Sequence, residues 1–577
     1  MMQKSYNKKN KSNPLKEALI SCNIMIKFVL LFGCLINLLM LSTPIFSMQV
    51  LDRVLSSQNT NTLLMLMLII ILALFLLGSI QAARSFAMNK MGSWLEHKLS
   101  ETVFSNSIKL ALESKSMANS QQLRDLQTVK TFLTSPGLIS IMDMPWAIIF
   151  IIVLFVLHKA IGILALISGT ILIVFGIISD KVTKPLIEMN NKNFIKSMKQ
   201  ADQATRNAEV IEVMGMRENI ISSWQKINQA VQHTQNLVTK RQAIFIEITK
   251  FFRLMIQISV TALGAYLVIQ GQITSGTIIA SSSLVGRALA PFEAAMTSWK
   301  GFITCKDSYR RLEKSFTRYQ NDDDKMSLPS PEGNIDVENL YYSPPGAFRH
   351  ILKGVNLSLK KGEVLGIIGP SASGKTTLAK LLVGINDPSI GTVRIDNASL
   401  KDWKKDELGP HLGYLPQDIE LFSGSVKENI ARMCINPNYE EVVIAAQLAG
   451  VHDMILKLPQ GYNSNIGHDG SMLSGGQKQR IGLARVFYGN PKFIVLDEPN
   501  ASLDTQGEEA LMTAIAVAKE KEITTVIISH KTSILSIVDK ILVMRDGMVA
   551  TFGPKKEVLS TLKEAQLVDR SSLSRGF

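Results

Sequence analysis

Long apolar runs in the first 300 residues constrain the fold of this chain more than any other feature. A helix that crosses a bilayer needs about 20 mostly apolar residues, and residues 28–51 and 62–83 have no charged side chain over that length. Further apolar runs occupy 144–157, 160–179 and 254–286, and the last is interrupted near its middle by the polar stretch QGQITSG. We therefore predict six membrane-spanning helices, of which the sixth has the weakest apolar signal.

The charged segments between these runs indicate how the chain is oriented. Residues 84–143 and 180–253 carry most of the charge, and their apolar residues recur at helical spacing, which predicts helices that continue into the cytoplasm. The alternative is that they form separate soluble subdomains.

The net charge of +14 would suit nucleic acid in a soluble protein. Here lysines that precede the first run account for much of it, so we expect a cytoplasmic N-terminus and no nucleic-acid partner.

The composition changes near residue 333, where strand and helix patterns of a soluble protein begin. An apolar strand at 364–368 is followed by a turn of the form G-x-x-x-x-G-K-[ST], with Gly369, Gly374, Lys375 and Thr376. In such a turn the backbone N–H groups and the helix N-terminus bind phosphates, the lysine contacts the outer two, and the threonine hydroxyl binds magnesium. The pattern predicts a site for ATP and Mg²⁺.

Two later strands end in polar residues that suit the same chemistry. The strand 493–496 is followed by Asp497, which we predict binds magnesium, and by Glu498, the predicted catalytic base for an attacking water. A third strand ends at His530, which is predicted to contact the γ-phosphate. The alternative for a single histidine at a strand end is a structural role.

The order of these motifs resembles that of an ABC-type ATPase domain. The phosphate-binding turn is followed by YLPQD with Gln417, by LSGGQ at 473–477, by VLDE, by an SLD turn at 502–504 and by His530. The resemblance implies catalytic or metal-binding roles for Gln417 as well as Glu498, His530, Thr376 and Asp497. It implies further nucleotide contacts from Ser371, Ser373, Thr377, Ser474, Gly475, Gly476, Gln477 and Asp504.

In that family Ser474, Gly475 and Gly476 would meet the nucleotide bound by a second copy of the chain, so the resemblance implies a homodimer. Six spans ahead of one ATPase domain are similar to a half-transporter with the type I ABC exporter fold. The resemblance implies a multi-domain membrane protein, in which an all-α six-helix transmembrane domain precedes an α/β P-loop ATPase domain. The expected divisions are a basic N-terminal segment at 1–27, a transmembrane domain at 28–320, a linker at 321–332 and an ATPase domain at 333–577. Coupling helices are expected near 114–125 and 206–216, with Gln417 at the groove that receives them.

Several stretches resemble the PrtD-type exporters of type I secretion systems, among them MQVLDRVLSSQNTNTLL, FLTSPGLISIMDMPWAIIF, NAEVIEVMGM and YYSPPGAFRHILKGVNLSL. The resemblance implies a bacterial inner-membrane protein that works with a periplasmic membrane fusion protein and a TolC-like outer-membrane channel. The implied substrate is an unfolded protein with a C-terminal signal. The alternatives are an exporter of lipids or amphipathic small molecules on the same fold, and a regulatory ATPase that transports nothing.

Two positions depart from the family pattern. Pro344 stands where an aromatic residue often stacks on adenine, and Tyr342 or Phe348 could replace it. His468 stands before the signature where exporters commonly carry glutamate. The first departure concerns base binding and the second concerns coupling to the membrane domain.

Overall fold

The computed structural model describes residues 14–113, 121–319, 326–344, 347, 349–467, 470–529, 531 and 533–561. Its internal contacts divide the chain into two compact units, Met1–Gln320 and Asn321–Phe577. Phe348, His468 and His530, which the sequence singled out, lie outside the described residues.

All of the regular secondary structure in the described part of the N-terminal unit is helical. Its α-helices are α1 (Pro14–Ser21), α2 (Asn23–Leu39), α3 (Ser42–Gln49), α4 (Leu55–Ser57), α5 (Thr60–Glu113), α6 (Gln121–Leu133), α7 (Pro136–Asp143), α8 (Ala147–Leu157), α9 (Lys159–Arg206), α10 (Ala208–Val213), α11 (Arg217–Ile269) and α12 (Ser275–Tyr319). A π-helical turn, Val50–Val54, joins α3 to α4, and a 3₁₀ turn, Met144–Trp146, joins α7 to α8.

Four of these helices are much longer than a bilayer requires. The helices α5, α9, α11 and α12 have 54, 48, 53 and 45 residues, which at about 1.5 Å per residue is about 70–80 Å. The hydrocarbon core of a bilayer is about 30 Å thick. The described residues confirm the prediction that the charged segments continue the membrane helices. The alternative, that these segments form separate soluble subdomains, is wrong for the described residues.

Five stretches of the described residues are long and apolar enough to cross a membrane: Asn23–Ser57, Thr60–Leu112, Pro136–Leu157, Lys159–Arg206 and Arg217–Ile269. The predicted sixth span falls in α12, a single helix of 45 residues. Its membrane half carries Ser281, Ser282, Ser283 and Arg287, which lower its hydropathy, so the sixth span stays a prediction.

Buried and partly buried polar side chains join distant helices of this unit. Arg84 of α5 forms an ion pair with Asp143 of α7 at 2.9 Å. Further along, Arg311 of α12 donates two hydrogen bonds, of 2.6 and 2.8 Å, to the buried carboxylate of Asp125 in α6. At the other end of α12, Asp52 accepts a hydrogen bond of 2.8 Å from the Gly276 N–H. These contacts fix the relative positions of helices that are far apart in sequence.

The C-terminal unit is a mixed α/β structure. Its elements are β1 (Ile335–Tyr342), β2 (Leu352–Leu359), β3 (Val364–Ile368), α13 (Lys375–Leu382), β4 (Ile390–Ile395), β5 (Ala398–Ser399), α14 (Lys405–Leu408), β6 (Leu412–Leu415), α15 (Val426–Ile430), α16 (Tyr439–Leu448), α17 (His452–Leu456), α18 (Gly475–Phe487), β7 (Phe493–Asp497), α19 (Thr505–Glu520), β8 (Thr524–Ile528), β9 (Lys540–Arg545) and β10 (Met548–Pro554).

Two sheets organise these elements. The larger has the strand order β10-β9-β3-β8-β7-β6, and all of its pairings are parallel except that of β10 with β9. The smaller sheet, β2-β1-β4-β5, is antiparallel. The strands β7 and β8 are buried along their whole length, which explains their continuous apolar sequences. Because β3, β7 and β8 are parallel, their carboxyl ends meet at one edge of the sheet, where a ligand site is expected.

Candidate nucleotide-binding and hydrolysis site

The turn after β3 has a backbone that requires glycine. Gly369 and Gly374 have φ angles of +154° and +98°. A Cβ atom on Gly369 would lie 2.3 Å from the carbonyl oxygen of Met544, and one on Gly374 would lie 2.7 Å from the Leu352 side chain. Gly374 also begins α13 without a side-chain cap, so the first N–H groups of the helix remain available to an anion.

Lys375 lies inside this turn. Its ammonium donates hydrogen bonds of 2.8 Å to the carbonyl oxygens of both Gly369 and Pro370. Burial lowers the pKa of Lys375, and the nearby carboxylates of Glu498 and Asp497 act against that shift. The cation is therefore held by backbone dipoles at the place where the sequence predicts phosphates.

Asp497 ends β7 beside the turn, and its carboxylate is almost completely buried. No described group makes a hydrogen bond of ordinary geometry to either oxygen. Burial raises the pKa of Asp497, while the neighbouring Thr376 hydroxyl lowers it. A buried carboxylate without a full set of partners is costly, and oxygen ligands are those that Mg²⁺ prefers. The pair of Asp497 and Thr376 thus fits a magnesium ion.

Replacing Asp497 by Asn should reduce Mg²⁺-dependent ATP hydrolysis by about 100-fold, because the site loses the charge that is predicted to hold the cation. Binding of a fluorescent ATP analogue in EDTA should change little, since the turn after β3 is intact. Magnesium titrations of the ATPase rate would measure the effect. The exposed Asp453 provides the matched control, and equal magnesium dependence in wild-type protein and Asp497→Asn would exclude the assignment.

Glu498 follows immediately in a strained conformation. Its φ is +53°, in the left-handed region that non-glycine residues seldom adopt. The Glu498 N–H bonds the carbonyl oxygen of Ile528 at 3.0 Å, which ties it to the end of β8. Gln417, in the loop after β6, donates to Glu498 Oε2 at 3.2 Å. The predicted base and the predicted glutamine are thus in direct contact.

The signature residues lie at the N-terminus of α18. Ser474 caps the helix, and its side chain and that of Gln477 bond each other's backbone N–H groups in a capping box. With these two side chains used locally, the backbone of the first turn is the part that could approach an anion. A Cβ on Gly475 would meet its nearest neighbour, Ser502 Oγ, at 3.9 Å, whereas one on Gly476 would lie 2.8 Å from the Ser502 carbonyl oxygen.

Two residues that the sequence reasoning did not single out connect this helix to the segment after Glu498. Buried Gln479 donates to the carbonyl oxygen of Pro499 and accepts from the Ser502 N–H at 2.8 Å. Arg480 pairs with Asp504, whose carboxylate also caps α19 by accepting from the Gly507 N–H. The polar stretch QKQR at 477–480, which begins at the last residue of the signature, was the available signal. Asp504, a predicted nucleotide contact, therefore already has two partners within its own unit.

The structure brings together Lys375, Thr376, Asp497, Glu498 and Gln417, which are far apart in sequence. Of the remaining predicted contacts, Ser371 is exposed on the turn, Ser373 is buried with a hydroxyl that has no described partner, and Thr377 is half-buried in α13. Tyr342 is half-buried, and its carbonyl oxygen accepts from the Ile351 N–H at 2.7 Å.

Comparison with known proteins identifies the family. The model of the ABC transporter transmembrane region matches residues 26–291, and the ABC transporter model matches residues 352–501. The type I secretion system ATP-binding protein PrsD of Rhizobium meliloti (strain 1021) is 36% identical over 557 residues, 96% of each chain. This chain belongs to the ABC transporters of type I secretion systems. As a member of this family it is an ATPase whose hydrolysis is coupled to transport.

Two further similarities support the assignment. The leukotoxin translocation ATP-binding protein LktB of Mannheimia glucosida is 28% identical over 538 residues, which cover 92% of this transporter and 75% of LktB. A solved bacterial Atm1-family ABC exporter with ATP bound has a TM-score of 0.81 at 22% identity, covering 96% of this transporter and 98% of that chain. The second similarity establishes the exporter fold that the sequence predicted.

Proposed function

We propose that this transporter exports unfolded polypeptides with C-terminal secretion signals across the bacterial inner membrane, as the ABC component of a type I secretion system. The observation that carries the proposal is the similarity to PrsD over 96% of both chains, in the membrane unit as well as in the ATPase unit. A relative that shared only ATP hydrolysis would match the ATPase unit alone.

Each residue of the proposed hydrolytic site has a distinct role. Lys375 and the N–H groups of α13 bind the phosphates of ATP, and Thr376, Asp497 and Gln417 would hold Mg²⁺. Bound Mg²⁺ would neutralise charge that develops on the transferred phosphoryl group. Glu498 accepts a proton from the attacking water, and its contact with Gln417 supports this assignment because it places the base beside a predicted metal ligand. His530 is assigned to the γ-phosphate from the sequence.

The signature is assigned to the site of a second copy. Its helix end has an open first turn at Gly475, and a chain with one phosphate-binding turn and one signature completes two sites by pairing antiparallel with itself. The functional unit is therefore a homodimer with two ATP molecules and two Mg²⁺ ions between the subunits.

Coupling to transport is assigned to the cytoplasmic ends of the long helices. The short helix α10 lies between α9 and α11 in the segment where the second coupling helix is expected. The exposed side chains in and directly after α10 include Val210, Val213 and Met214. They form an apolar surface that would favour docking on another unit. The first expected coupling segment, 114–125, is described from residue 121 onwards, where it forms the start of α6.

The remaining partners follow from the secretion assignment. The N-terminus and the ATPase unit face the cytoplasm, which the lysines before the first span support. On the other side of the membrane, a periplasmic membrane fusion protein and a TolC-like outer-membrane channel would extend the path.

ATP hydrolysis by the full-length transporter in lipid nanodiscs tests the proposal. The rate would be measured with and without C-terminal segments of secreted proteins encoded beside it, and with lipids and amphipathic drugs as comparators. We expect stimulation by one C-terminal segment, and none in Glu498→Gln. Stimulation by lipids or drugs alone would favour export of small molecules on the same fold and would contradict the proposal.

A further inference from the structure

One face of α9 carries an unusual row of lysines after it leaves the membrane. Lys181, Lys184, Lys192, Lys196 and Lys199 follow the apolar run 160–179. At about 100° per residue all five fall within about 60° of one line along the helix. We name these five residues the basic stripe. Glu188 is the single acidic residue between them on that face, and each lysine is exposed or half-exposed.

The basic stripe lies opposite the packed face of the helix. Asn190 is nine residues from both Lys181 and Lys199, which is about half a turn around the helix. Asn190 is buried and donates a hydrogen bond of 3.0 Å to Gln235 of α11. Ion pairs described in this unit use other cations, namely Arg84, Lys130, Arg217, Lys250, Arg253 and Arg311. The stripe therefore presents its charge away from α11.

A solvated helix face does not account for the sign of these charges. Exposed faces usually mix both signs, as α5 does with Lys90, Lys98 and Glu101. A row of one sign produces a field that attracts the opposite charge. The basic stripe is thus suited to an anionic partner.

The position of the stripe distinguishes between two anionic partners. Lys181 and Lys184 lie at the membrane edge, where cytoplasmic lysines are expected. Lys192 and Lys199 are 13 and 20 residues beyond Ser179, about 20 and 30 Å along the helix. Screening limits the attraction of lipid headgroups to about 8 Å at physiological ionic strength. The outer three lysines are therefore too far from the bilayer to serve a lipid surface.

We propose that the basic stripe binds acidic stretches of the exported polypeptide in an extended conformation, an inference that rests on the proposed function. Neighbouring lysines of the stripe are three or four residues apart, or about 4.5–6 Å along the helix, except for the longer interval between Lys184 and Lys192 that contains Glu188. Alternate side chains of an extended chain are about 6.6 Å apart. A polypeptide with aspartate or glutamate at every second position matches this spacing, whereas a folded domain would present few such rows.

Binding of a labelled peptide to the full-length transporter in nanodiscs of neutral lipid tests the proposal. The probe is a peptide with aspartate alternating with serine, and the variant is Lys192→Gln/Lys196→Gln/Lys199→Gln. The control is Lys90→Gln/Lys226→Gln/Lys240→Gln, which removes the same charge from exposed positions of α5 and α11. We expect the dissociation constant to rise about tenfold in the first variant, with a weaker salt dependence, and to change little in the control.

Equal binding by the stripe variant and the wild-type transporter would overturn the proposal. The proposal would also be overturned if the stripe variant lost binding to anionic vesicles while its peptide binding was unchanged, because that result would assign the stripe to lipid. Basal ATPase activity checks that each variant is folded. Failure of every C-terminal segment to stimulate hydrolysis contradicts the proposed function, and stripe-dependent peptide binding in that case still supports an acidic-polypeptide site, so the two failures are distinguishable.

Discussion

Replacing Glu498 by Gln should stop ATP turnover while ATP still binds. Glutamine keeps the size of the side chain and its contact distance to Gln417, but it cannot accept the proton of the attacking water. A positioned general base contributes about 10²–10⁴ to a rate, so we expect hydrolysis to fall by at least about 100-fold. With binding intact, the protein should retain ATP and remain in the dimeric state that encloses it.

Two measurements check this outcome. Phosphate release at saturating ATP gives the rate, and retention of labelled ATP through gel filtration gives the trapped nucleotide. Glu440→Gln makes the same chemical change at an exposed position in the first turn of α16 and should behave like wild type. Wild-type turnover in Glu498→Gln would move the catalytic base to another residue.

The backbone of Glu498 makes the choice of substitution important. With φ at +53°, a β-branched residue at this position would be strained. Two hydrogen bonds also hold this part of the backbone. The Glu498 N–H donates to the carbonyl oxygen of Ile528, and the Glu498 carbonyl oxygen accepts from the side chain of Gln479. Glutamine leaves these contacts unchanged, so a loss of activity in this variant reports on the carboxylate rather than on the fold of the segment.

The phosphate-binding turn and the strand before it could be predicted because their signals are local. Gly369 and Gly374 have positive φ angles set by the turn itself, and β3 and α13 begin and end where the apolar pattern changes. The carboxylates after β7 were predictable for the same reason. A strand that ends in Asp497 has to place that residue at the edge where the parallel strands meet.

Contacts between distant segments could not be predicted from the same patterns. Gln479 reaches Pro499 and Ser502 only because α18 packs beside the segment after Glu498, and no periodicity reports that packing. The partner of Asp52 is likewise 224 residues away in sequence.

In the membrane unit the third span was predicted to begin at residue 144, but apolar residues of α7 extend it to Pro136, since the helix continues through Pro145 by a 3₁₀ turn.

The second large effect is expected from the proposed sharing of each site between two chains, and its test concerns the arrangement of the chains rather than a single residue. Lys375→Ala removes the cation that is proposed to face the phosphates, and Gly475→Asp places a carboxylate where the signature would meet the γ-phosphate. The nearest atom to a Cβ at residue 475 is 3.9 Å away, so the aspartate fits without displacing the helix. Each variant alone should lose about 100-fold in ATPase rate, because both sites of its homodimer contain the defect.

Mixing the two variants should restore activity. In a mixed dimer one site combines both defects, but the other combines the intact turn of one chain with the intact signature of its partner. With random pairing about half of the dimers are mixed and half of their sites are intact, so the rate should reach about a quarter of wild type if the two sites act independently. Co-expression with two different tags and tandem purification would isolate the mixed dimers for measurement.

The necessary control mixes wild-type chains with the double variant Lys375→Ala/Gly475→Asp, in which both sites of every mixed dimer carry one defect. That mixture should retain only the activity of its wild-type homodimers. If the signature instead served the nucleotide of its own chain, the two single variants would not complement each other, and the wild-type chains of the control would stay active in every pairing. The two arrangements therefore predict opposite results in the same pair of mixtures, which is why this experiment decides between a shared site and a site within one subunit.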